Sequence, residues 1–144
     1  MVAVRKITQQ QDLEKAFRIR EEVFVMEQEV APEEEYDEFE NSSIHFLALD
    51  ADGNPCGTAR WRKTDKGIKL ERFAVLKKFR GTGIGRLLVK AVLADIAKSE
   101  EKGEHIYMHA QSYAVPFYEK FGFKAEGEEF EECGIMHFTM SRSN

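Results

Sequence analysis

At 144 residues the chain is sized for one domain of about 150 residues. Roughly 68–70% of its unfolded surface can be buried at that length, so a 42% hydrophobic composition supports a core without disulfides or metal. The 21 Lys and Arg against 26 Asp and Glu leave a net charge of −5, which argues against nucleic acid as a partner. Apolar runs stop at four residues, as in Phe46–Leu49 and Phe73–Leu76, far short of the about 20 that a spanning helix takes. No cationic start precedes an apolar stretch, so no membrane association and a cytoplasmic location are expected. Cys56 and Cys133 show no partner pattern and read as free thiols.

In chain order, Val2–Ile7 reads as a strand, and Thr8-Gln9-Gln10-Gln11 has the capping-box form of a helix start. A helix of about four turns follows, its stripe being Leu13, Ala16, Phe17, Arg20 and Phe24, widened by Ile19 and Val23. Between Glu27 and Glu40 stand eight acidic residues and no Lys or Arg, interrupted by Pro32. This predicts a loop with a short helix and an electronegative surface, read chiefly as solvated acid and secondarily as a steering patch for a cationic ligand. Ile44–Asp50, Pro55–Lys63 and Ile68–Leu76, joined through turn-rich segments, predict an antiparallel meander.

The third of these strands leads into Gly81-Thr82-Gly83-Ile84-Gly85 and an amphipathic helix lined by Ile84, Leu87, Leu88, Ala91, Val92 and Ile96. After Gly103 come a strand (Glu104–Ala110), a short helix (about Ala114–Phe121) stopped by Gly122, and closing strands near Phe123–Glu128 and Ile135–Ser141. The order predicts an α/β fold of the α+β type: one domain, residues 1–144, with a mixed sheet of about six to seven strands and helices on both faces.

Alternate glycines between a strand and a helix leave backbone N–H groups open to an anion, usually a phosphate. Lys77, Lys78, Arg80 and Arg86 crowd this turn of an acidic protein. A nucleoside-triphosphate loop is excluded because Arg86-Leu87, rather than Lys-Ser/Thr, follows Gly85, and a dinucleotide fingerprint fails in both registers, meeting Arg86 or Leu88 where its third glycine belongs.

Arg80-x-x-Gly83-x-Gly85 resembles the Gln/Arg-x-x-Gly-x-Gly/Ala loop of the GNAT N-acetyltransferases. Leu70–Val75 before it resembles the family's fourth strand, and Ala114–Phe123, with Phe117-Tyr118-Glu119-Lys120-Phe121-Gly122-Phe123, its later helix and turn. Arg20–Gln28 and Gly134-Ile135-Met136-His137 are similar to the small bacterial ElaA/YjcF-type subgroup. The resemblance implies an acetyl-CoA-dependent transfer to a primary amine of a small molecule or peptide, with a homodimer as a common family state. A non-catalytic acyl-CoA-binding regulatory module is the alternative.

It implies further that backbone amides of Arg80, Gly81, Thr82, Gly83, Ile84, Gly85 and Arg86 hold the coenzyme A diphosphate. The fourth strand parts from its neighbour near Phe73-Ala74-Val75, and the freed amides hold pantetheine and the thioester carbonyl. Tyr118 matches the family's general acid, with packing among Phe117, Phe121 and Phe123 as its other reading. Strand alternation puts Glu71 on the face of Phe73 and Val75, making it the base candidate, against an ordinary strand carboxylate paired with Arg72 or Arg60; Glu27, Glu29 or a water chain also stand open. The four histidines and two cysteines show no metal-ligand spacing. His137 reads as a satisfied sheet residue, and Cys133 as a nucleophile only with a base beside it.

Overall fold

β-branched and aromatic segments broken by turn residues pair into a single mixed sheet in the computed structural model, which describes residues 2–101 and 103–142. The elements are β1 (Ala3–Lys6), α1 (Gln10–Arg20), α2 (Pro32–Glu35), β2 (Ile44–Leu49), β3 (Pro55–Thr64), β4 (Gly67–Val75), α3 (Ile84–Lys98), β5 (Ile106–Gln111), α4 (Val115–Glu119), β6 (Lys124–Glu132) and β7 (Ile135–Arg142). Seven strands lie in the order β1-β2-β3-β4-β5-β7-β6. Of these pairings only β4–β5, bridged by α3, is parallel. Helices cover both faces: α3 packs on a core including Phe46, Trp61, Leu70 and Met108, and the α1 side on Leu47 and Ala74.

Two local departures position the site. No side-chain cap forms at Gln9, the residue ahead of α1, so the expected Thr8 capping box is absent; Asp12 instead takes a bidentate bond from Arg5 at 2.9 and 3.0 Å. Rather than running on as regular turns, the helix widens over Glu21–Glu27 into π geometry, with Gln28 N–H bonded to the Val23 carbonyl at 3.0 Å. The wider turn brings neighbouring Val23 and Phe24 inward together. π segments of this kind recur at functional sites.

The second departure lies in β4. Thr58 pairs with Ala74 and Arg60 with Glu71, so Ala59 of β3 faces both Arg72 and Phe73. Arg72 takes φ 58°, a left-handed conformation unusual for a non-glycine residue. Pairing with β5 ends at Leu70–Met108, although the strands run on to Val75 and Gln111. The opening expected near Phe73–Val75 therefore begins at Glu71 and leaves main-chain groups without ladder partners.

Candidate active site

The parted strands open a cleft of about 520 Å³. Gly81 and Gly83 stand at its glycine-loop end with φ of 80° and 87°, and no atom lies within 4 Å of where a Cβ would sit on either. Gly83 precedes α3 without a side-chain cap. Leu87 N–H bonds back to the Gly83 carbonyl at 3.1 Å, whereas the amides of Ile84, Gly85 and Arg86 precede the first helical bond and are available to an anion. A Cβ on Gly85 would come within 3.4 Å of the Phe117 ring, so its glycine also permits close packing of α4.

Of the residues expected to hold the diphosphate and pantetheine, Phe73, Ala74, Val75, Arg80, Gly81, Gly83, Ile84, Gly85 and Arg86 border the cleft. Thr82 does not; its hydroxyl turns back to donate to the Phe79 carbonyl at 2.5 Å. Arg80 donates to the Val75 carbonyl at 2.9 Å and, bidentately, to Glu27 at 2.6 and 2.7 Å. Glu27 is thereby fastened to the glycine loop and held below the usual carboxylate range by that bond from Arg80.

Tyr118 packs edge-on to Phe117 at 5.1 Å, Phe73 at 6.1 Å and Phe123 at 6.3 Å. It also borders the cleft, so its packing and its access to the reacting end are compatible. Burial pushes its phenol well above its ordinary pKa, which keeps the proton on oxygen.

For Glu71, alternation fails at the bulge. Cross-strand pairing with Arg60 and Thr58 puts Glu71 and Ala74 on the α1 face, while Leu70 and Val75 share the α3 face through their partners Trp61 and Gly57. Glu71 accepts from Arg60 at 2.9 Å and Arg62 at 2.6 Å, with Lys69 Nζ at 3.4 Å. Burial favours its protonation, but Arg60 and the other cations outweigh that and keep the carboxyl below its ordinary pKa. A carboxylate so neutralised is a weak base, and its surroundings match the strand ion pair foreseen as the other reading.

The acidic segment is only partly solvated. Glu29, Glu33 and Glu38 are exposed, but Glu35, Asp37 and Glu40 turn inward onto arginines. Arg20, 1% exposed, bonds Glu35 at 2.5 Å and Glu40 at 2.8 Å. Arg60, fully enclosed, bonds Asp37 at 2.7 Å and Glu40 at 2.9 Å. Arg72 donates to Asp37 at 3.2 Å, and its Nε stands 3.0 Å from Glu35 as an ion pair without hydrogen-bond alignment. Glu34 and Glu35 thus become part of the cleft wall. The expectation of a solvated run fails at these inward residues because the arginines that neutralise them lie far off in sequence.

His109 and Glu132 join the same wall, Nδ1 to Oε1 at 3.0 Å. His137 is satisfied, as expected, by the Ile135 carbonyl at 2.7 Å. Cys133, in a turn with Gly134 where both take positive φ, has its thiol pushed up to about 11 by burial and by Glu34, which removes it as a nucleophile.

A family model described as an acetyltransferase (GNAT) domain matches residues 5–143. The chain belongs to the GNAT acetyltransferases. It is 43% identical over 134 residues to the N-acetyltransferase YjcF of Bacillus subtilis, covering 92% of this chain and 94% of that one. Escherichia coli ElaA superposes with a TM-score of 0.87 at 26% identity, covering 99% of this chain and 100% of ElaA. The PaiA N-acetyltransferase of Thermoplasma acidophilum, solved in complex with coenzyme A, shares the fold with a TM-score of 0.71 at 17% identity, over 100% and 99% of the two chains.

This GNAT protein is thus an N-acetyltransferase, and acetyl-CoA is the family's acyl donor. The site fits that donor on the chain's own geometry: bare glycine amides at an uncapped helix start suit a diphosphate, and the unpaired edge of β4 suits an extended amide chain. Among the described residues no helix is long and apolar enough to cross a membrane. Nothing in the sequence reading joined His109 to Glu132. Alternation along β5 and the tight Cys133-Gly134 hairpin were the signals that could have joined them.

Proposed function

We propose that this GNAT protein is a cytoplasmic enzyme that moves an acetyl group from acetyl-CoA to a primary amine of a small molecule or peptide, the nitrogen attacking the thioester directly. The observation that carries the reading is the cleft opened by the Arg72 bulge, with the uncapped start of α3 at one end and Tyr118 on its wall. Acetyl-CoA supplies an activated acyl carbon and a thiolate leaving group. The amides of residues 80–86 bind the diphosphate, Thr82 through its main chain alone. Main-chain groups of Phe73, Ala74 and Val75 bind pantetheine, and an amide among them faces the charge that grows on the carbonyl oxygen, a contact worth roughly 10²–10³ in rate. Tyr118 holds its proton at working pH and delivers it to sulfur as the C–S bond breaks; a phenol protonates a thiolate of pKa about 8.5 only against a gradient, so the transfer waits until negative charge has developed on sulfur.

Titration calorimetry with coenzyme A, followed by coloured-thiol detection of coenzyme A release from acetyl-CoA with spermidine, glucosamine and a lysine peptide, tests the reading. Binding with amine-dependent thiol release is expected. Absence of binding heat overturns the cofactor site; binding without release from any amine leaves the non-catalytic module.

A further inference from the structure

The cleft has two walls, and the wall facing α1 carries a pair of groups with no part in the roles above. Along β5, Met108 and Ala110 enter the core beneath α3, so alternation sends Tyr107, His109 and Gln111 to the α1 side. The Cys133-Gly134 turn brings Glu132 of β6 to His109. A carboxylate only accepts, so this bond places the proton on His109 Nδ1 and leaves Nε2 of the neutral ring with its lone pair. Phe130 stands edge-on to the same imidazole at 5.2 Å and restrains it.

Resting on the transferase reading, we propose that His109 is the general base for the acceptor amine and that Glu132 is its positioning residue. Tyr118 and Phe73 pack with the α3 core, so proton removal from the nucleophile and proton delivery to the leaving group occur on opposite sides of the opened sheet. The acceptor ammonium gives one proton to His109 Nε2. The freed lone pair forms the N–C bond while C–S breaks, and sulfur takes the Tyr118 hydroxyl proton. The second proton leaves the new amide nitrogen and restores the phenol through solvent, and the proton on His109 passes to water. Ammonium and thioester become amide and thiol with one net proton released.

The surrounding charges favour this assignment. Glu132 is held below the usual carboxylate range by the His109 bond, so it is ionised at neutral pH and stabilises the imidazolium. His137 from β7 lies with Nε2 3.9 Å from Glu132. Lys69 from β4 acts on Glu132 and Glu71, and Tyr107 tilts against His109 at 6.2 Å. Glu71 is occupied by Arg60 and Arg62, which leaves His109 and His137 as the cleft's imidazoles with an Nε2 lone pair; His109 is the one whose Nδ1 is bonded to a carboxylate, at 3.0 Å, rather than to a backbone carbonyl.

The test uses the full chain, acetyl-CoA and the three amines named above. His109→Gln should lower kcat/KM at pH 7 by about 10²–10⁴ while acetyl-CoA affinity stays within about twofold, and with the lysine peptide the deficit should narrow as pH approaches that amine's own pKa of about 10.4. Glu132→Gln should shift the acid limb of the pH profile to lower pH, because the imidazolium loses its partner. Imidazole nitrogen NMR of the ligand-free protein should show neutral His109 protonated on Nδ1, a tautomer preference lost in Glu132→Gln. Undiminished thiol release by His109→Gln, or an unmoved acid limb together with an Nε2-protonated ring, overturns the base assignment alone. Acetyl-CoA binding with no release by the unsubstituted protein overturns the transferase reading and this one with it. If His109→Gln does not fold, the Glu132→Gln profile and the tautomer decide.

Discussion

Arg60→Met removes the enclosed centre of the ion network without leaving a void. Arg60 donates to Asp37 at 3.1 and 2.7 Å, to Glu40 at 2.9 Å and to Glu71 at 2.9 and 3.2 Å. Removing one partner of a buried pair costs about 3–5 kcal/mol. Each stranded carboxylate keeps a second cation, Asp37 with Arg72, Glu40 with Arg20 and Glu71 with Arg62, so the loss should fall near the low end, about 3 kcal/mol. For a chain of this size that is a fall in Tm of about 10 °C.

The pH dependence has a definite sign. Burial works against Asp37 ionisation, but Arg60 overcomes it and brings the carboxyl from 3.8 to about 2. A depressed carboxyl stabilises the fold above its unfolded pKa, so the deficit of the variant should be complete above about pH 4 and close as pH falls toward about 2. Urea unfolding from pH 7 down to pH 3 measures it. A deficit under about 1 kcal/mol at pH 7, or one that grows on acidification, would refute the reasoning. Because the network fixes the segment bearing Glu34 and Glu35, the acceptor KM should also rise while coenzyme A affinity holds.

Tyr118→Phe keeps the aromatic cage, so Tm should move little while turnover drops by about 10²–10⁴ with coenzyme A affinity retained; equal turnover in the two proteins removes Tyr118 as the acid. Gly83→Ala places a Cβ at φ 87°, a conformation costing about 1–2 kcal/mol, and should weaken coenzyme A binding roughly tenfold by calorimetry. Glu27→Gln frees Arg80 from an exposed pair worth at most about 1 kcal/mol, so coenzyme A should bind up to about fivefold tighter; weaker binding would mean that Glu27 supports the loop rather than competing for it.

The meander, the α3 helix and the glycine turn ahead of it were legible because turn glycines, apolar periodicity and local basic charge report on neighbours close in sequence. The side of β4 that Glu71 occupies was not, since one left-handed arginine reverses the alternation and no residue type announces it. The arginine partners of the acidic run lie up to 53 positions away, as in Arg80 to Glu27. Likewise His109 and Glu132 are 23 apart, and only strand pairing brings them into contact.

On the proposed assignment, the slip of phase at Arg72 gives donor and acceptor separate doorways. On that assignment, substitutions in the acidic segment or the β6–β7 hairpin reshape which amines enter while the acyl carrier is gripped unchanged from the other side. One scaffold can thus diversify its clientele without renegotiating its fuel.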